Sequence, residues 1–485
     1  MAETSSSGSP DAVDAVVVGS GPNGLTAAVV LARAGLSVTV LEAADEIGGG
    51  TRTAELTKPG LLHDICSAVH PFGAASPVFR SLPLERHGLE WRWPEVDLAH
   101  PLDGGRAGVM LRDIDATAAG LGADGAAWRQ VFGVLAEHFD HVADDVLGPV
   151  LRVPRHPVTF ARFGLRALWP ATVLARRFRT DEARALFAGI AAHVIRPLGR
   201  PMTAAPGVML TASGHDVGWP VAAGGSRSIT AALAGLLAEL GGTVVTGVRV
   251  AALADLPPSR VQLFDTSPGG FVAIAGDAMP AAVRRAYTRW RYGPGSFKLD
   301  LAVEGGVPWT AEAVRKAGTV HVGGPIGEIA VAEADVHKGR MPERPFVLLG
   351  QQYLADPQRS VGDVHPVWAY AHVPKGYTGD ATEAMLDQIE RFAPGTRERI
   401  VARHVMSPAD FAGYNANYVG GDISTGSNDL LQMLFRPRIS LDPYATGIPG
   451  AFLCSAATPP GAGVHGMSGY HAAHRALRHL DRKSR

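Results

Sequence analysis

Three glycines fall within six residues, Gly19-Ser20-Gly21-Pro22-Asn23-Gly24, directly after the apolar run Ala15 to Val18, and Glu42 stands 23 residues beyond the first of them. In a G-x-G-x-x-G run the three glycines serve, in turn, a tight turn, close approach of backbone to a diphosphate, and close helix–strand packing. Ser20 and Asn23 share that loop and its expected ligand. A carboxylate at Glu42 is placed to accept hydrogen bonds from both ribose hydroxyls and to repel a 2′-phosphate. The competing reading is a glycine turn in a parallel sheet beside a surface glutamate, which leaves the Asn-Gly crowding without a purpose.

The elements that must position these residues follow from the pattern around them. Small and apolar residues from Leu25 to Ala34 recur at helical spacing, Gly35 stops them, and Ser37 to Leu41 is a β-branched strand ending at Glu42. This is a βαβ unit. Its helix would aim unsatisfied amides and the positive end of its dipole at the bound phosphates.

Composition narrows the classes. The chain has 485 residues, 46% of them hydrophobic, with a net charge of −1, so its length supports two or three cores and no global field recruits nucleic acid. The two cysteines, Cys66 and Cys454, are far apart and lack metal spacing, which points to a reducing compartment and no structural metal. Residues 1–12 are small, polar and acidic, as in a disordered tail rather than a targeting signal. No run of about 20 apolar residues occurs. The expected setting is cytoplasmic.

A second glycine cluster with an arginine, Glu46-Ile47-Gly48-Gly49-Gly50-Thr51-Arg52, follows the second strand. With DAVVVGSGPNG and EIGGGTRT at the front, GWPVAAGGSRSITAALAGLLAELGGTVVTGVRV in the middle and PGAFLCSAATPPGAGVHGMSGYHAAHRAL near the end, the chain resembles the phytoene-desaturase-like (carotenoid oxidoreductase-like) branch of the FAD-dependent amine oxidase superfamily. The likeness runs from Asp14 to about Leu477. It implies an α/β fold: a Rossmann-like FAD-binding domain of the glutathione-reductase/amine-oxidase type with an inserted α+β substrate domain. It also implies a discontinuous FAD domain (13–75, 215–275 and 410–485) and a substrate domain from 76–214 and 276–409.

The same resemblance implies FAD contacts at Gly49, Gly50, Thr51 and Arg52, adenine against the backbone of Val250 in a strand from Val244 to Val250, and further contacts at Ser455, Val464, Gly466 and Met467. A helix starting near Val464 would direct its amides at the pyrimidine end of the flavin. Oxidation of a C–H bond needs a hydride acceptor and a place for a proton. His70 and His465 are the candidates for the proton, each also readable as a structural histidine. Asn417 and Tyr418 line the cavity or anchor a loop. Lys298 reads as support rather than a flavin-facing lysine, and Cys66 has no redox partner. No second dinucleotide site is expected, because GGPIGE at 323–328 lacks the third spacing of the motif and a following helix. The electrons then go to dioxygen or a quinone, or return to the substrate in an isomerisation.

Residues 151–180 carry seven arginines and no acid, interleaved with Phe160, Phe163, Leu165, Leu168 and Trp169. That composition suits either peripheral contact with an anionic membrane or a solvated basic face. Three functions are compatible with the whole pattern. One is a phytoene-dehydrogenase-like oxidoreductase acting on a hydrophobic, polyene or lipid-like molecule. The second is a redox-neutral flavin isomerase or a tailoring oxidase of a secondary metabolite, and the third is a non-catalytic FAD-binding scaffold.

Overall fold

Val13–Val18 is the middle strand of a five-stranded sheet whose every pairing is parallel, in the order Ala451–Leu453, Ser259–Phe264, Val13–Val18, Val38–Leu41, Thr243–Val245. A computed structural model describes residues 12–149 and 151–483. The tail expected over 1–12 therefore lies outside the described residues, Ala12 excepted. Both faces of the central strand are buried, which is why its sequence is an unbroken apolar run rather than an alternation. Ala15 and Val17 pack with the helix Pro22–Arg33, whereas Val16 and Val18 pack with Phe264, Phe271 and Tyr287 on the opposite side. The helices Arg227–Glu239 and Met467–Lys483 flank Pro22–Arg33 and complete the first layer.

A second, seven-stranded mixed sheet takes two strands from 76–214, Val96–Leu102 and Arg106–Met110, and five from 276–409. Its longest pairing is the ten-residue pair Gly295–Glu304 and Val364–Val373, antiparallel with Lys298 opposite Tyr370. Strand alternation gives this sheet two characters. Phe297, Leu299, Leu301, Val367 and Ala369 enter a core capped by the helix Thr382–Phe392, while Thr319, Leu348, Trp368 and Tyr370 face a cavity. Helices from 114–217 close the far side of that cavity.

Four local expectations change. The first helix begins at Pro22, whose fixed φ suits a first helical position, rather than at Leu25. The strand expected over 244–250 is only Thr243–Val245, because Gly247 turns at φ +72° and the chain then bonds laterally, Gly247 N–H to Ala44 O and Val248 N–H to Glu42 O. The last helix begins at Met467 instead of Val464, since Gly463 and Gly466 hold positive φ. GGPIGE is followed by a helix after all, Ile326–His337, but its turn is occupied by the Glu328–Arg391 ion pair and lies off the cavity.

Candidate functional site

One cavity of about 1500 Å³ runs from the first glycine turn, past the 461–465 loop, to the inner face of the second sheet. Single small-ligand pockets hold roughly 300–1,000 Å³, so this space suits an extended cofactor with a substrate beyond it. Gly19, Gly21, Asn23, Glu42, Gly49, Gly50, Thr51, Arg52, Val250, Ser455 and Val464 all lie in its wall. These residues come from three stretches of chain that the five-stranded sheet brings to one end.

The glycine turn is tight for a reason. A side chain at Gly21 would come within 2.7 Å of a carboxylate oxygen of Asp265, and one at Gly24 within 2.0 Å of the Gly19 carbonyl. Gly21 caps the helix without a side-chain bond, so the helix end is left open to an anion. Asn23 is buried with its side-chain oxygen lacking a partner. Glu42 accepts hydrogen bonds from Ser20 N–H (2.8 Å), the Ser20 hydroxyl (2.6 Å) and Ala44 N–H (2.9 Å). Ser20 thus holds Glu42 in place from behind and is not itself in the cavity wall. Arg52 donates to the carbonyls of Glu46 and Ile47, lies 3.6 Å from Glu42 and stands 5.2 Å over the Tyr414 ring. Thr51 is wholly buried and donates to Gly48 O. A diphosphate dinucleotide fits this cradle of open amides, absent side chains and a fixed acid.

Gly466 and Met467, expected at the flavin, lie off the cavity wall. Gly466 and Gly469 instead let the last helix close on the first: a side chain at Gly469 would stand 1.9 Å from Asn23 O. The loop 461–465 occupies the position expected of that helix end. Buried Arg436 braces this loop, donating to Ala456 O at 3.0 Å and to the Asn428 side chain at 2.9 Å. Burial pushes its guanidinium down to about 10. It is the cation that the sequence left indistinguishable from surface arginines.

His465 lies in the cavity wall. Its Nδ1 accepts from Met467 N–H at 3.0 Å and its ring also bonds the Gly461 backbone, so neither nitrogen is left for chemistry. His70 differs. Ser226 donates its one hydroxyl proton to Ser67 O (2.7 Å), so the 2.7 Å contact with His70 Nε2 requires the imidazole to donate there. That fixes the lone pair on Nδ1, which is buried without a partner in a residue of the cavity wall. Burial holds His70 down to about 4, so the ring is neutral at pH 7.

Asn417 and Tyr418 both line the cavity. Asn417 also anchors a loop, accepting from Ser267 N–H and donating to Asp265 O. Lys298 is fully buried, ion-paired with Asp300, and absent from the cavity wall. Burial pushes the Cys66 thiol up to about 11, which leaves it a protonated packing residue. Sequence reasoning missed Asp265 and His193. Asp265 follows the third central strand, accepts from Gly24 N–H at 3.0 Å, and is pushed up to about 7 by burial. His193 lines the cavity and shares a 3.1 Å contact with His321. The only sequence signal for Asp265 was its place at the end of an apolar run. His193 had none.

Residues 17–82 match the family model of the NAD(P)-binding Rossmann-like domain. The mouse pyridine nucleotide-disulfide oxidoreductase domain-containing protein 2 is 24% identical, over 96% of this chain and 94% of its own. One of the limonene dehydrogenase subunits of Castellaniella defragrans is 32% identical over 21% of this chain and 18% of its own. Among solved structures, an oxidoreductase from Methanosarcina mazei superposes with a TM-score of 0.65 at 14% identity, covering 96% of this chain and 100% of that one. Cyclohexylamine oxidase from Brevibacterium oxydans does so with a TM-score of 0.60 at 15% identity, covering 98% and 100%. Fold and family model together give the chain a Rossmann-like dinucleotide-binding domain within the fold shared by these solved oxidoreductases.

Proposed function

We propose that the protein is an FAD-dependent oxidoreductase, phytoene-dehydrogenase-like, that oxidises a hydrophobic polyene or other lipid-like molecule. The observation that carries this reading is the continuity of one cavity from a dinucleotide cradle to an end walled by Phe160, Phe163, Met209, Leu348 and Trp368. The flavin, when bound, supplies the hydride acceptor, and dioxygen or a quinone takes the electrons onward. Gly19, Gly21, Asn23 and Glu42 hold the dinucleotide at one end. Arg52 and the 461–465 loop border its middle.

The protein's own part in the chemistry is to exclude water, orient the substrate and take a proton. The apolar end gives a long hydrocarbon chain a dry seat with few polar contacts. His70, with a lone pair fixed on Nδ1, accepts the proton released from the carbon next to the one that loses hydride. Because its imidazole is held down to about 4, the base is free above that pH. Reduction of the bound flavin should rise with pH through about 4 and stay flat from there to neutrality.

The test is anaerobic stopped-flow mixing of the FAD-loaded protein with linear polyenes, read as bleaching of flavin absorbance. Bleaching with product two hydrogens lighter supports the reading; unchanged mass would make it an isomerase. His70→Gln should slow bleaching by about 100-fold and remove the acid limb of the profile. A protein that takes up no FAD, or FAD that no apolar compound bleaches, ends the proposal.

A further inference from the structure

The helix Pro157–Ala167 separates the cavity from solvent, and both of its faces are apolar. Phe160, Phe163 and Ala167 line the cavity. On the opposite side Val158 (65% exposed) and Leu165 (69%) project outward, continued past the helix end by Leu168 (59%) and Trp169 (52%). Spacings of seven and four along 158, 165 and 169 put these on one stripe, half a turn from the cavity residues. Nothing in the fold is gained by leaving four large apolar side chains together in water.

Where the chain enters the helix, Asp144 pairs with Arg155 and His156, but from 157 to 180 the sequence carries arginines and no acid. Arg162 lies within the stripe and is exposed, with Arg166, Arg176 and Arg177 nearby. No ion pair joins any of these four to a carboxylate among the described residues, and Arg162 and Arg177 act on Arg166 as like charges. A solvated basic face would be expected to carry neutralising acids and no hydrophobic stripe. Arginines flanking exposed Leu, Val and Trp are the arrangement that lies flat in a lipid headgroup region. No described helix is long and apolar enough to cross a membrane.

We infer that this face docks on an anionic lipid bilayer, and that the helix between membrane and cavity is the door through which an apolar substrate enters. The docking stands on the surface alone; the entry route rests on the cavity function proposed above. Leu168, both exposed and in the cavity wall, marks the edge of that door.

The test is co-sedimentation of the full chain with vesicles of phosphatidylcholine alone or of equimolar phosphatidylcholine and phosphatidylglycerol. Binding is expected on the anionic vesicles only, and should weaken as salt rises. Arg162→Gln should lower the partition coefficient about fivefold and Leu165→Ser about tenfold, with melting temperatures unchanged because both side chains are exposed. FAD absorbance in the same samples reports separately on the redox reading, so loss of one does not mimic loss of the other. Equal binding to both vesicles, no binding at all, or partition unaffected by either variant overturns the inference. So does a lipid-free dimer that Leu165→Ser splits, since the stripe would then be covered by a second copy.

Discussion

Asp265 is the residue on which the chemistry of the cradle turns. It shares the open end of the first helix with whatever anion binds there, yet it is itself an acid. Burial, with a smaller push from Glu42, raises it to about 7, so near neutrality it is partly protonated and tolerates a diphosphate. Above that pH it ionises and repels one. FAD affinity should therefore fall about tenfold between pH 6 and pH 8, a slope that Asp265→Asn removes. Isothermal titration at the two pH values measures it, and equal affinities in the native chain would refute it. The sign for the unliganded fold agrees. A carboxyl raised from 3.8 in the unfolded chain to about 7 contributes stability below 3.8 that is lost as pH climbs to about 7. The Asn variant should melt higher than the native chain at pH 8 and show no such advantage at pH 4.

At the scale of elements, the first and last helices meet with no room to spare. Gly469 sits where a methyl group would stand 1.9 Å from Asn23 O and 3.0 Å from Ala27 N, both backbone atoms that cannot turn aside. Gly469→Ala should cost about 3 kcal/mol, read as a lowered melting temperature, whereas Gly35→Ala meets no atom within 4 Å and is penalised only for its left-handed φ. This contact also explains what could be read in advance. The opening strand, turn, helix and terminal glutamate were legible because each is a local pattern: an unbroken apolar run, a 3.6-fold period and punctuating glycines. Gly466 and Gly469 were legible as unusual but not as packing residues, since their partner lies more than 400 positions away in the chain. The roles of His70 and His465 were equally hidden: which ring nitrogen stays free depends on Ser226, Gly461 and Met467, and no spacing in the sequence encodes those contacts.

For the whole molecule, segments far apart in the sequence are tied together by a buried ionic chain. Arg359 donates to Asp64 at 2.6 Å, to Asp356 at 3.1 Å and to Ala222 O, while Asp356 also meets Arg92. Burial alone would raise Asp64, but Arg359 and the Ser226 amide outweigh it and hold the carboxyl below its usual range. Its stabilising share is present above the unfolded value of 3.8 and is lost as pH falls below it. Arg359→Met should cost about 3–5 kcal/mol, because it leaves the buried Asp64 carboxylate without its counter-ion. Urea denaturation at pH 7 measures the loss, and a change under about 1 kcal/mol would contradict it. The composition of the sheet that makes the cradle has a temporal consequence as well. Its edge strand Ala451–Leu453 and its covering helix Met467–Lys483 are made only after some 430 residues that follow the glycine turn. On a ribosome adding roughly 5–20 residues per second, the opening strand and helix wait tens of seconds for their last neighbours. A nascent chain stalled before 451 would show a chaperone the apolar face that the finished protein hides.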